Sequence, residues 1–133
     1  ATNIGIHLFD MLHFIFGKLK KSKIFLNTDT KQSGFLELEK ANVRWFLSID
    51  NEDIPKKIRE KGKTTYRSIK INNQEIEFSD GFKDLHTKSY KEILNGNGFG
   101  IEENRAAIET VSLIRNSKIS QLKGDFHPFI KKI

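Results

Sequence analysis

The 133-residue chain has no cysteine, two prolines, one methionine and no long apolar run. Without cysteine, disulfides and thiolate metal sites are excluded, and a cytoplasmic protein is expected. The longest apolar stretch, around residues 11–16, is interrupted by His13 and falls short of the roughly 18 residues that a membrane-spanning helix needs. The sequence therefore predicts no membrane segment, and the opening residues lack the features of a signal peptide.

What the sequence does have is charge, with a formal net charge of +6. The lysines are scattered among acidic residues, and the clusters at residues 18–23 and 56–63 are short, the second being interrupted by Glu60. We therefore expect a solvated basic surface and no nucleic-acid partner, and a nucleic-acid binder remains only a third hypothesis. The length and the ordinary apolar content indicate one domain with one core.

Apolar periodicity predicts a helix followed by strands in the first half of the chain. Ile4–Phe16 is expected to be a helix, with Asn3 as its N-cap and Gly17 as its stop. The predicted strands are Lys23–Thr30, Phe35–Glu39 and Val43–Asp50. In the third strand both alternating sets of side chains include a bulky apolar group, which indicates partial cover on both faces.

The second half contains a predicted hairpin and two predicted helices. Residues 51–62 are expected to be a loop with at most one helical turn, and Asn72 and Asn73 mark the hairpin turn. The tail from Ser117 onward has one possible short strand. The predicted strands and helices are Thr64–Ile71, Glu75–Phe78, Asp84–Leu94 and Glu102–Asn116.

This element order predicts an α+β fold, because consecutive strands joined by short links favour an antiparallel sheet. We expect a mostly antiparallel open sheet with helices packed on one face. A partner subunit is the simplest expectation for the other face.

Several kinds of site are disfavoured by spacing. Gly96–Gly100 has the spacing G-x-G-x-G after a predicted helix, which indicates a helix–helix link and not a dinucleotide fingerprint. The chain has no P-loop and no nucleophile elbow. The four histidines lack metal-ligand spacing, since the closest two, His7 and His13, are six residues apart, and no metal is expected.

The strongest polar cluster is at the start of the first helix. Asn3, His7 and Asp10 lie three or four residues apart and share one side of a helix. An imidazole beside an amide could hold a sugar hydroxyl and move its proton. From spacing alone, His7 could equally be a core or a surface histidine, and Asp10 could cap or brace the helix.

Four segments resemble the glucose–fructose oxidoreductase / inositol dehydrogenase / MocA family, and together they span nearly the whole chain. The resemblance is closest to the branch that acts on UDP-linked N-acetylglucosaminuronate in surface-polysaccharide biosynthesis. The segments are ATNIGIHLFDM (1–11), RWFLSIDNEDIP (44–55), KTTYRSIKINNQEIEFSDGFKDLHTKSY (63–90) and GNGFGIEENRAAIETVSLIR (96–115).

The resemblance implies a two-domain enzyme of which this chain matches only the second domain. Family members have an N-terminal Rossmann domain that binds NAD and carries a lysine in an E-K-P motif, and neither feature has a counterpart here. Residues 1–133 would then be an excised substrate-binding and oligomerisation domain. The implied partners are a UDP-sugar substrate and further copies of the chain, which would form a dimer or tetramer through the open sheet face.

The resemblance also assigns site residues. Asn3, Gly5 and His7 align with a family pattern D-x-G-x-H, so His7 falls on the catalytic histidine and Asn3 replaces an aspartate. An amide cannot act as a base, so Asn3 would orient the sugar, and Gly5 would allow a close approach of the backbone. Tyr66 and Arg67, expected in a strand, and His86 are further substrate-binding candidates. The alternative is a non-catalytic assembly or binding module.

Overall fold

The computed structural model describes residues 2–81 and 84–132, with Thr2, Asn3 and Lys132 described by their backbone alone. The chain divides into two compact units, Ala1–Ile49 with Gly100–Ile133, and Asp50–Phe99. The regular elements are α1 (Thr2–Phe16), β1 (Leu19–Asn27), β2 (Lys31–Leu38), β3 (Asn42–Ser48), α2 (Lys56–Arg59), β4 (Ser68–Ile71), β5 (Gln74–Glu77), α3 (Leu85–Leu94) and α4 (Ile101–Asn116), with short 3-10 helices at Asn51–Asp53 and Pro128–Lys132.

The first unit is built on a three-stranded antiparallel sheet in the order β1–β2–β3. β1 lies at one edge and contains three lysines, a composition typical of edge strands because charge opposes pairing with another sheet. The chain after α4 runs along this strand: Ile119 bridges Ile24 in parallel, and the Ser120 N–H donates to the Ile24 carbonyl at 2.7 Å. The edge is thus partly covered.

Helices α1 and α4 pack on one face of this sheet and on each other. The core between them combines side chains from both helices and all three strands. Phe9 meets Trp45 edge to face, with ring centroids 5.3 Å apart, a favourable aromatic geometry. The buried core residues are Phe9, Leu12, Ile24, Leu36, Leu38, Trp45 and Ile114. The predicted α+β class, with helices on one face of an antiparallel sheet, is confirmed for this unit.

The second face of the sheet is covered in part by residues 124–131, which we call the C-terminal tail. Phe46 stacks on His127 and meets Phe129 edge to face, with centroids 5.7 and 5.6 Å apart. Phe25 meets Phe126 edge to face, with ring centroids 6.2 Å apart. Cover on both faces of β3 was expected, and within this unit α1 and the tail provide it.

The second unit contains α2, the β4–β5 hairpin and α3. Asn72 and Asn73 both have positive φ, at 48° and 68°, which is the geometry of the predicted tight hairpin turn. Among its described residues no side chain is fully buried, and the apolar side chains of α3 are exposed. All the buried side chains of the described part lie in the first unit, so the single predicted core belongs to that unit.

The predicted boundaries were less accurate than the predicted elements. β1 begins four residues earlier than expected and ends three earlier, and β2 begins four residues earlier. β3 ends at Ser48 and not at Asp50, because Asp50 caps the following 3-10 helix by accepting from the Glu52 N–H. The possible short strand predicted after Ser117 is reduced to the bridge at Ile119.

Candidate functional site

Helix α1 has two different sides. Gly5, Phe9 and Leu12 are buried against the sheet, whereas His7, Asp10 and Phe14 are exposed. At 100° per residue, His7 lies almost opposite the centre of the buried side. The interpretation of His7 as a core histidine is therefore wrong, and its ring points away from the core.

The ring of His7 is chemically available. It makes no hydrogen bond, ion pair or ring contact with any residue that the structure describes. Asn3 lies one turn before it, but the side chain of Asn3 is outside the described part. The helix begins at Thr2, so Asn3 lies within the first turn and the prediction that it is the N-cap is wrong. Asp10, one turn after His7, is exposed and braces nothing among the described residues.

Exposed apolar side chains flank His7 on the outer side of α1. Phe14 is 92% exposed, and Ile4 and Ile15 are about half exposed. A cluster of exposed apolar side chains around one polar group is typical of a surface that contacts another domain or a ligand. The position of His7 is thus that of a group at a contact surface.

Gly5 allows a close approach, but between α1 and the sheet. A Cβ at this position would lie 2.7 Å from Leu47 Cδ1 and 3.0 Å from the ring of Phe9. The backbone of Gly5 therefore faces the core of the unit. The expected role of Gly5 beside a substrate has no support in this geometry, whereas a role in seating the helix that carries His7 does.

The histidine that joins elements of the core is His13, which the sequence analysis did not single out. Its Nδ1 lies 3.1 Å from the Gly17 carbonyl oxygen, and its Nε2 lies 2.8 Å from Thr110 Oγ1 on α4. These contacts tie the end of α1 to α4 and fix the helix that carries His7. The signal for this role is weak in sequence, because the partner is 97 residues away.

Tyr66 and Arg67 lie in the second unit, just before β4, and the prediction that they sit within a strand is wrong. The hydroxyl of Tyr66 donates to Glu75. Burial and this hydrogen bond raise the pKa of Tyr66, and the same bond lowers the pKa of Glu75. Arg67 donates from its backbone N–H to Ser79 Oγ at 2.9 Å and from Nη1 to the Ser79 carbonyl at 3.2 Å. Both side chains are therefore held in fixed positions.

His86 also lies in the second unit, as the second residue of α3, and it is exposed. On a helical projection it lies on the same side as Tyr90 and Ile93, which are exposed as well. The predicted site residues are thus divided between the units, with Asn3 and His7 in the first and Tyr66, Arg67 and His86 in the second.

Two further expectations from the sequence concern the glycine-rich segment and a metal site. Gly96–Gly100 links α3 to α4, as predicted. Within residues 2–81 and 84–132, no group of acidic or histidine side chains is arranged to hold a metal ion. None of the helices in that part is both long and apolar enough to span a bilayer.

Solved structures of a dehydrogenase are closely similar to this chain. No family model matches the chain. The crystal structure of the WlbA (WbpB) dehydrogenase from Thermus thermophilus in complex with NAD and α-ketoglutarate is 48% identical over 97% of this chain, with a TM-score of 0.91. The structure of the WlbA (WbpB) dehydrogenase from Thermus thermophilus with NAD and UDP-GlcNAcA is 47% identical over the same share, with a TM-score of 0.90.

The match covers only part of the dehydrogenase, because this chain spans 42% of the length of the dehydrogenase chain. Identity of this level along nearly the whole of the present chain, together with the same fold, confirms the resemblance drawn from the four sequence segments. In sequence and in its α+β fold, the chain is thus closely similar to a part of the WlbA (WbpB) dehydrogenase, in agreement with the resemblance to the glucose–fructose oxidoreductase / inositol dehydrogenase / MocA family.

Proposed function

We propose that this chain is the substrate-binding and oligomerisation part of an NAD-dependent dehydrogenase that oxidises the 3-hydroxyl of UDP-linked N-acetylglucosaminuronate. The main support for this proposal is the 47–48% identity to a dehydrogenase whose structures contain NAD together with UDP-GlcNAcA or α-ketoglutarate. The outward, unpartnered ring of His7 supports the assignment within the chain. On the family resemblance, we propose that the reaction serves the synthesis of nucleotide sugars for surface polysaccharide in the cytoplasm.

The described residues do not themselves form a dinucleotide site. The glycine-rich segment Gly96–Gly100 joins two helices, whereas the pyrophosphate of NAD is held where a strand turns into a helix. The cofactor would therefore be held by the part of the protein that this chain does not include. NAD, once bound there, supplies the nicotinamide that takes up hydride.

His7 is the proposed base in this reaction. As the 3-hydroxyl becomes a ketone, its carbon loses hydrogen with two electrons and its oxygen loses a proton. His7 would accept that proton, since its ring nitrogens have no partner among the described residues. Asn3, one turn earlier, would hold the sugar by hydrogen bonds, because an amide does not take up protons at neutral pH.

Tyr66, Arg67 and His86 are proposed to bind the anionic parts of the substrate. The hydrogen bond from Arg67 Nη1 to the Ser79 carbonyl positions its guanidinium, the side-chain group that commonly binds a carboxylate or pyrophosphate. His86 is exposed on α3 and offers a second donor. These roles follow from the family resemblance, and Tyr66 would have to exchange its hydrogen bond to Glu75 for one to the substrate.

A homo-oligomer, dimer or tetramer, is proposed as the working form. The tail occupies part of the second sheet face, so a second copy packing there would contact the tail as well as the strands. The exposed apolar side chains of α1 and α3 are further surfaces that the complete protein would be expected to cover.

The proposal is tested with the complete protein and a panel of UDP-sugars. We expect NADH formation with UDP-N-acetylglucosaminuronate and a product lighter by two hydrogen atoms, and little turnover with UDP-sugars that lack the uronate carboxylate. The isolated 133-residue chain, used as the control, should show no turnover. A complete protein that is folded and binds NAD but oxidises no sugar nucleotide would contradict the proposal and favour a non-catalytic binding module.

A further inference from the structure

A cavity lies on the second face of the sheet, away from His7. Its volume is about 240 Å³, and it opens between β3 and the C-terminal tail. A smaller hollow of about 120 Å³ adjoins it, sharing Asp125 and bordered by Lys23 of β1. The larger cavity is lined by Arg44, Gly124, Asp125, Phe126, Pro128 and Lys131.

The charged groups around this cavity are unbalanced. Arg44 and Lys131 make no ion pair with any described residue, although Asp125 lines the same space. The Lys131 ammonium lies 5.5 Å from the centroid of Phe126, which holds it over the ring at the cavity wall. Two cations against one carboxylate leave an excess of positive charge, and Lys23 at the adjoining hollow adds to it.

Two features of His127, beside the cavity, favour the neutral form of its ring. Its Nδ1 accepts a hydrogen bond from the Phe129 N–H at 3.2 Å, which a proton on Nδ1 would abolish. The ring is half-buried against Phe46, and burial first, then the charge of Arg44, lowers the pKa of His127. Arg44 of β3 is the charged group that acts on this ring, and Asp125 and Lys131 of the tail line the cavity beside it.

We propose that this cavity binds a small dianion, a phosphoryl group or its sulfate analogue, through the Arg44 guanidinium and the Lys131 ammonium. The planar fork of arginine matches a tetrahedral oxyanion with two parallel hydrogen bonds, and lysine adds a mobile point charge. The volume lies below the roughly 300–1,000 Å³ of pockets for drug-sized ligands, which limits the ligand to a small group.

Binding there is linked to the charge of His127. A dianion next to Arg44 offsets the repulsion that Arg44 exerts on protonated His127, so it raises the pKa of that ring. By reciprocity, the dianion binds more tightly as the pH falls and His127 takes up its proton. The increase is complete only below the pKa of His127 without the anion, and burial and Arg44 hold that pKa below the ordinary value of about 6.5 for histidine.

The test is an NMR titration of the His127 ring with sulfate, which stays a dianion across the pH range used. Sodium chloride at equal ionic strength is the control, since simple screening of Arg44 also raises the pKa of His127. We expect sulfate to raise the pKa of His127 more than chloride does, and this effect should saturate. Arg44→Gln or Lys131→Gln should weaken sulfate binding about tenfold or more. Arg115→Gln, at an exposed arginine of α4, should change nothing.

Asp125→Asn is expected to tighten sulfate binding, because it removes the one carboxylate that lines the cavity. The same titration with methyl phosphate in place of sulfate distinguishes a site that accepts an esterified phosphoryl group from a site that accepts only a free ion. The proposal is overturned if sulfate acts no differently from chloride, or if binding is unchanged in both folded variants, Arg44→Gln and Lys131→Gln.

Discussion

Replacing His7 with alanine in the complete dehydrogenase is expected to lower kcat by about 10²- to 10⁴-fold, the usual contribution of a positioned general base. The fold should survive, because His7 lies on the outer side of α1 and contributes nothing to the described core. The measurement is steady-state NADH formation with the sugar nucleotide, accompanied by the thermal unfolding midpoint. The KM for the sugar should change much less than kcat if His7 acts mainly in the transition state.

Two further variants separate proton transfer from binding. His7→Gln keeps a hydrogen-bonding side chain but cannot accept the proton, so its kcat should be close to that of His7→Ala. Arg115→Gln, at an exposed position on α4, is the matched surface control and should leave turnover unchanged. Turnover by folded His7→Ala at the wild-type rate would show that His7 is not the base.

Replacing Gly34 with alanine is expected to destabilise the first unit by roughly 2–3 kcal/mol, or to prevent it from folding. Gly34 is buried in the central strand β2, paired with Ile24 on one side and Trp45 on the other. A Cβ there would lie 2.4 Å from the Lys23 carbonyl oxygen and 2.8 Å from the ring of Trp45. Because the Lys23 carbonyl oxygen is a backbone atom, this clash can be relieved only if strands β1 and β2 move apart.

The loss is measured by urea unfolding followed through the fluorescence of Trp45, the chain's only tryptophan, which reports on the first unit. Gly100→Ala is the control, because its Cβ would meet only the flexible carboxylate of Glu103 at 3.1 Å. Its expected cost is below about 1 kcal/mol. An unchanged unfolding midpoint for Gly34→Ala would contradict the packing described for β2.

The regular elements could be predicted from the sequence because their apolar periodicity is strong. α1 shows it throughout, and the Asn72–Asn73 turn has the residue types that its positive φ angles need. The first halves of β1 and β2 could not be predicted in this way. The first half of β1 contains lysines suited to an edge, and the first half of β2 contains Gln32, Ser33 and Gly34. The place of these three residues is set by pairing with β3, where the Ser33 hydroxyl donates to the Trp45 carbonyl.

The candidate site was found from the sequence only through its resemblance to a family. Spacing alone left His7 as a core, surface or catalytic residue, and the structure removes the first of these. The structural roles of His13 and His127 depend on partners distant along the chain, Thr110 for the first and Phe46 for the second. No local pattern marks such contacts, so they could not be predicted.

The central claim, that His7 is the base for the 3-hydroxyl, is tested most directly by a crystal structure of the complete protein with NAD and UDP-N-acetylglucosaminuronate. The account predicts a ring nitrogen of His7 within hydrogen-bonding distance, about 2.6–3.2 Å, of the 3-hydroxyl oxygen. A complex in which the sugar is bound beside the nicotinamide while another side chain contacts that hydroxyl, and His7 does not, would contradict it.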